Sequence, residues 1–136
     1  MMNIGKIQIC FLLLLIGCST SDSGKKVIVA TYPDGTPKLI RVYYEKTDEI
    51  LESNYYFNSV QERERTLKNG YPNGAWLEWH KNGQLKFEKN YSNGEMDGLQ
   101  KGWYMDGRLF FESNYEKGNL VSRTIYNHDG TIKSTL

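Results

Sequence analysis

Apolar and polar side chains alternate with a period of two along most of the chain after residue 25. In the segment 75–80, Trp76, Glu78 and His80 fall on one side, and Leu77 and Trp79 on the other. Further on, Leu85, Phe87, Lys89 and Tyr91 oppose Lys86, Glu88 and Asn90. The next unit sets Leu109, Phe111, Ser113 and Tyr115 against Phe110, Glu112 and Asn114. Successive side chains of a strand point to opposite faces, so this alternation predicts half-buried β-strands.

The strands are punctuated at regular distances. Asp34-Gly35, Asn58-Ser59, Asn82-Gly83, Asp106-Gly107 and Asp129-Gly130 follow one another at steps of 24, 24, 24 and 23 residues. A fixed period of this size marks a repeat architecture. Asn-Gly and Asp-Gly predict two-residue type I′ turns, which need positive φ at both central positions. A second series, Asn69-Gly70, Asn93-Gly94 and Lys117-Gly118, also recurs every 24 residues. Each unit is therefore two strands and two turns. The predicted fold is all-β: a single-layer, twisted antiparallel meander of about ten strands, built of tandem hairpins that stabilise one another. Its edges fall near 27–32 and 132–136, where Lys25, Lys26 and Lys133 guard against unwanted pairing.

The second unit is the least regular. Ser59 stands where the other turns have Gly, and Gln61, Arg63 and Arg65 replace Leu, Phe and Lys. Residues 61–68 have the propensity for a helix. Tyr43, Leu67, Tyr91 and Tyr115 nevertheless keep the 24-residue register across it, which favours a strand.

The head of the chain has a different character. Residues 1–17 carry one charge, Lys6, followed by an apolar run over 9–16. That run is far too short to cross a bilayer core of about 30 Å as a helix. A charged start, a short apolar stretch and a small residue at the break predict an export signal. Leu15-Ile16-Gly17-Cys18 resembles the lipobox of bacterial lipoproteins. That resemblance implies removal of residues 1–17, lipidation of Cys18 and anchoring by more than one acyl chain, each chain contributing about 0.8 kcal/mol per buried CH₂. Residues 18–24 then form the lipidated cysteine and a polar tether, and 25–136 the repeat domain. Ser19 is compatible with transfer to the outer membrane, on either its periplasmic or its surface side.

Without residues 1–17 the chain has 119 residues, with 16 basic and 16 acidic side chains. That balance predicts neither a nucleic-acid footprint nor a field for acidic ligands. Cys18 is then the only cysteine, and once acylated it leaves no disulfide, thiol nucleophile or thiolate ligand. Aliphatic residues are sparse, and 10 Tyr and 3 Trp supply the missing apolar area.

Tyr91-Ser92-Asn93-Gly94-Glu95-Met96-Asp97-Gly98 resembles the core of a MORN repeat (membrane occupation and recognition nexus). The segment from Leu67 through Gly70 to Gly74 matches it except for Leu in place of Tyr, and Tyr115-Glu116-Lys117-Gly118 matches its first half, departing at Ser122. The segments 79–88 and 104–112 resemble a bacterial MORN-variant lipoprotein group, the YwqK-type. The resemblance implies β-hairpin arrays that bind proteins or lipids. An antitoxin role also attaches to that group, and at this address it requires a toxin acting in the envelope.

Candidate contact residues are aromatic. Trp79, Trp103 and Tyr126 stand 24 and 23 residues apart, with Tyr55 as a weaker counterpart. Such rings serve either as a stripe for glycans or a partner's apolar side chains, or as the sheet's own packing face, which is the expectation here. Trp76 and Tyr104 are expected as partly exposed contacts. Glu64, Glu88 and Glu112 also recur at 24 residues. Paired carboxylates can do acid–base work, but with lysines interleaved they read as a solvated charge ladder. His80 and His128 are too far apart in the repeat for one metal. The reading is a non-enzymatic, lipid-anchored envelope module with no cofactor, metal or catalytic residue, binding an envelope protein partner. Cell-wall glycan binding and an antitoxin-like immunity role are the alternatives.

Overall fold

The computed structural model describes residues 23–136. The expected leader (1–17), Cys18 and the first part of the tether lie outside the described residues. The described chain is all-β, a single open antiparallel sheet with no helix over it. In chain order the strands are β1 (Lys25–Thr31), β2 (Pro37–Tyr44), β3 (Glu49–Tyr55), β4 (Gln61–Lys68), β5 (Tyr71–Trp79), β6 (Leu85–Ser92), β7 (Glu95–Met96), β8 (Gly98–Trp103), β9 (Leu109–Glu116), β10 (Asn119–Tyr126) and β11 (Ile132–Thr135). Sequence neighbours pair from β1 to β6 and from β8 to β11, and β8 pairs with β6, so the meander predicted by the alternation is what forms. The two-residue β7 pairs only with β6, and Asp97 separates it from β8. Residues 61–68 are strand β4, not a helix, because pairing on both sides overrides local propensity.

A one-layer sheet has little interior. Ile40, 8% exposed, is the only apolar side chain fully buried among the described residues. Glu52, Ser53, Gln100 and Ser113 are the buried polar ones. Stability therefore comes from half-buried faces and from contacts between consecutive units along both rims of the sheet.

The first rim corrects the turn prediction. At Asn82-Gly83, Gly83 N–H donates to the His80 carbonyl (2.9 Å) and His80 N–H donates to the Gln84 carbonyl (2.8 Å), enclosing a three-residue loop. The same bonds close the loops at Asp34-Gly35, Asn58-Ser59, Asp106-Gly107 and Asp129-Gly130. In each pair only the second residue has positive φ, and Ser59 takes it at 62°. The geometry is a type I turn followed by one left-handed residue and a bulge, not type I′. The Asn or Asp is there for its side chain. Its Oδ1 accepts from the backbone N–H two residues on, at 2.9–3.2 Å in all five loops.

Along this rim each unit also grips the next. Tyr32 Oη donates to the Tyr55 carbonyl (2.8 Å), Tyr56 Oη to that of Trp79 (3.0 Å) and Tyr104 Oη to that of Tyr126 (3.3 Å). His80 Nε2 takes the tyrosine's place, 3.0 Å from the Trp103 carbonyl, and donates there as the Nε2–H tautomer. Asn58 and Asn82 add amide bonds to the carbonyls of Lys81 (3.2 Å) and Met105 (2.8 Å).

The opposite rim holds the true two-residue turns. Asn69-Gly70, Asn93-Gly94 and Lys117-Gly118 have positive φ at both positions. Gly94 N–H donates to the Pro72 carbonyl and Gly118 N–H to that of Met96, both at 2.8 Å. Asn73 and Asp97 accept from the N–H groups of Asn93 and Lys117 at 3.3 Å. Those acceptors lie in bulges that turn through Gly74 and Gly98, each at φ 87°. Where the second bulge breaks β6–β8 pairing, the buried Gln100 amide substitutes for backbone. Its Oε1 accepts from Asn90 N–H and its Nε2 donates to the Asn90 carbonyl, both at 2.9 Å.

Candidate functional site

Cross-strand register decides which side chains share a face, since directly paired residues of an antiparallel sheet point the same way. On what we term the front face, Arg41 pairs with Glu52, Glu52 with Arg65, Arg65 with Trp76 and Trp76 with Lys89, one residue from each of β2 to β6. Gln100, Ser113 and Arg123 extend the same face through β8, β9 and β10.

Glu52 is the electrostatic centre of this row and is only 3% exposed. Arg41 Nε and its terminal nitrogen reach Glu52 Oε2 at 2.9 Å. Arg65 donates to Oε1 through Nε (3.0 Å) and a terminal nitrogen (2.7 Å). Burial alone would raise the carboxyl pKa, but the two guanidinium partners outweigh it and hold the group below its ordinary value. The same hydrogen bond to Glu52 raises Arg41. A buried carboxylate with a charged fork on each side is the condition under which it stays ionised.

Trp76 comes next. The Arg65 guanidinium carbon lies 4.8 Å from its ring centroid, and Arg63 and Lys89 lie at 5.6 Å. Tyr91 packs against the indole at 5.5 Å. Cations over an indole face are attracted by its quadrupole. Lys89 also binds Glu78 at 3.1 Å and covers Phe87 at 5.0 Å. Two buried donors of the patch, Arg63 Nε and Trp76 Nε1, have no acceptor. Arg63 holds only Asn54 Oδ1, at 3.3 Å. At the far end Arg123 donates to Ser113 Oγ (2.9 Å) and Tyr115 Oη (3.0 Å) and stands over Phe111 at 5.9 Å. Phe110, Phe111, Arg123 and Ile125 line a small hollow there.

Sorting the register-paired charges by face gives two unlike surfaces. The front carries Lys25, Arg41, Arg63, Arg65, Lys89 and Arg123 against two carboxylates, Glu52 and Glu78. The back carries Lys26, Lys68 and Lys101 against Glu49, Glu64, Glu88, Glu95, Glu112 and Glu116. Every arginine in a strand is on the front, and the remaining one, Arg108, is in a turn. Near-zero net charge thus conceals a basic front and an acidic back. Composition averages over two faces that the sheet keeps apart.

The aromatic candidates are not brought together. Trp76 lies on the front. Trp79, Trp103 and Tyr126 alternate onto the back beside the first rim, all half-buried. No ring pair joins these three among the described residues; what links their units is the acceptance of rim bonds by their carbonyls. Tyr126 Oη donates to Glu112 at 3.2 Å, and burial followed by that carboxylate raises the phenol's pKa. Tyr104 sits in the rim, its ring 5.1 Å from both Phe110 and His128. Glu64, Glu88 and Glu112 share the back face: Glu112 pairs with Lys101 at 3.3 Å, and Glu64 accepts from Ser53 and Gln61. His128 lies in a different turn from His80, against Asp106 at 2.7 Å. Among the described residues, no group of three or more His, Cys, Asp or Glu is placed to hold a metal. No helix of the described residues is long and apolar enough to cross a membrane.

The front-face row keeps the repeat period in two series, Arg41, Arg65, Lys89 and Ser113 at steps of 24 residues, and Glu52, Trp76, Gln100 and Arg123 at steps of 24, 24 and 23. Bulges beside the turns shift parity within each unit, so only the register reveals that the two series share one face. No protein-family model matches the chain, and no curated protein matches it.

Proposed function

We propose that this chain is a lipid-anchored interaction module of the bacterial envelope, exported, held at Cys18 and binding a protein partner through its repeat sheet. The observation that carries the reading is the front-face cluster of Arg63, Arg65, Lys89 and Tyr91 around Trp76. Tryptophan, tyrosine and arginine are the residues that dominate binding energy at protein interfaces. A one-layer sheet also leaves both faces open to a partner. Kinship with MORN-variant lipoproteins, an outer-membrane address and the absence of enzymatic activity belong to the same proposal, and rest on the Leu15–Cys18 and Tyr91–Gly98 sequence patterns.

Crosslinking in the native cell followed by mass spectrometry tests the binding reading. A discrete envelope protein should be recovered with the wild-type chain and depleted with Trp76→Ala; recovery of no discrete protein rejects it. Palmitate labelling that persists in Cys18→Ala would reject the anchor. Glycan binding has one observation in its favour, the back-face succession of Trp79, Trp103 and Tyr126 in consecutive units. Co-sedimentation with peptidoglycan sacculi, abolished by Trp103→Ala, would install that reading instead.

A further inference from the structure

We infer that the front face takes an acidic, partly apolar segment of its partner, whose carboxylates seat on Arg63 and Arg123. This deepens the protein-binding proposal and rests on it. Charge complementarity is the first ground. Among the register-paired charges, six cations face two carboxylates on the front, whereas the back has an acidic excess. Neither Arg63 nor Arg123 has a carboxylate partner. The face also demonstrates the chemistry on itself, since two of its guanidinium groups close on the Glu52 carboxylate through four contacts of 2.7–3.0 Å. Arginine, unlike lysine, offers a rigid planar fork that matches a carboxylate.

The vacant donors supply a second ground. Arg63 Nε and Trp76 Nε1 are buried without acceptors, an arrangement that costs free energy until an acceptor arrives. A carboxylate that draws the Arg63 fork off the indole uncovers both donors and accepts from them. A peptide is favoured over a polyphosphate because the cations alternate with rings. Arg123 borders the hollow formed with Phe111 and Ile125, and Lys89 lies between Trp76 and Phe87. An occupant that carries aliphatic side chains next to its carboxylates fills both kinds of position.

The test uses the full chain in detergent and a fluorescent peptide of repeating Glu-Leu-Ser, with its Gln-Leu-Ser counterpart, inorganic polyphosphate and glycerol phosphate, the soluble headgroup of phosphatidylglycerol, as comparisons. The Glu peptide should bind, the Gln peptide should not, and added salt should weaken the complex. Arg63→Gln with Arg123→Gln should weaken it about tenfold, while Lys68→Gln with Lys101→Gln, an equal loss of charge from the back, should leave it unchanged. If the front pair fails to fold by circular dichroism, Arg123→Gln alone carries the test. Equal weakening by both pairs, or binding of polyphosphate or glycerol phosphate without the Glu peptide, overturns the inference. So does a native crosslinked partner recovered at wild-type yield from the front-face variant, and in that case protein binding itself still stands. If the Glu peptide binds but no discrete partner is captured in the cell, it is the protein-binding proposal that fails.

Discussion

The two faces of this sheet are made by the same strands and differ in nearly every physical respect. The front has arginines, aromatic rings and one deeply buried carboxylate. The back has lysine–glutamate pairs such as Lys101–Glu112, about one-third exposed on both sides (32% and 33%). Exposed pairs of that kind contribute roughly 0–1 kcal/mol and mainly maintain solubility. Arg65, which shares the buried Glu52 with Arg41 and lies over the Trp76 indole, is held in place by several contacts at once. The comparison teaches that charge type and degree of burial, rather than the number of charges, distinguish a face fit for recognition from one fit for solvent.

The largest break in that comparison comes at Glu52. Glu52→Gln leaves Arg41 and Arg65 facing each other without an anion and should cost about 2–4 kcal/mol, read as a lowered urea midpoint. A loss close to that of a surface pair would mean that the two faces are energetically alike. Acid gives a second reading of the same group. Its pKa is depressed in the folded protein, so the stability it contributes is fully present above its ordinary value of 4.5 and is lost as pH falls through the folded value. Wild type should therefore show a steeper loss of stability on acidification below that value than Glu52→Gln.

A smaller front-face effect is expected at Gly102, which is buried between the rings of Phe87 and Phe111. A methyl there would collide with Phe111, so Gly102→Ala should cost about 1–3 kcal/mol by thermal or urea unfolding. The smallest effect belongs to the back. Lys101→Gln should change stability by no more than about 0.5 kcal/mol, and by less still in high salt. A back-face change as costly as Gly102→Ala would erase the contrast.

Much of the fold is legible in the sequence. The positions of all five first-rim turns, the strand character of residues 61–68 and both edge strands follow from period and alternation. The turn type did not. Asn-Gly serves a type I′ turn at Asn93-Gly94 and a three-residue loop at Asn82-Gly83, and the dipeptide alone does not distinguish them. The deciding factor is the adjoining strand pairing, which leaves the Asn82 side chain free to hold Gln84 N–H. The substitution of His80 for a rim tyrosine was likewise hidden, because its partner carbonyl belongs to Trp103 in the following unit.

The candidate surface was less legible still. Alternation already parts Trp76 from Trp79, and the 24-residue period already links Arg41 with Arg65, but the seat of Glu52 between those two arginines is set by the pairing of β2, β3 and β4. What the sequence determined by itself is the repeat, the β-class and the places where the chain reverses, because these depend on local φ preference and side-chain alternation. Only the tertiary structure decided which charges meet. Each bulge resets the parity of its strand relative to the neighbour, and the accumulated register across ten paired strands converts a neutral composition into a basic front and an acidic back.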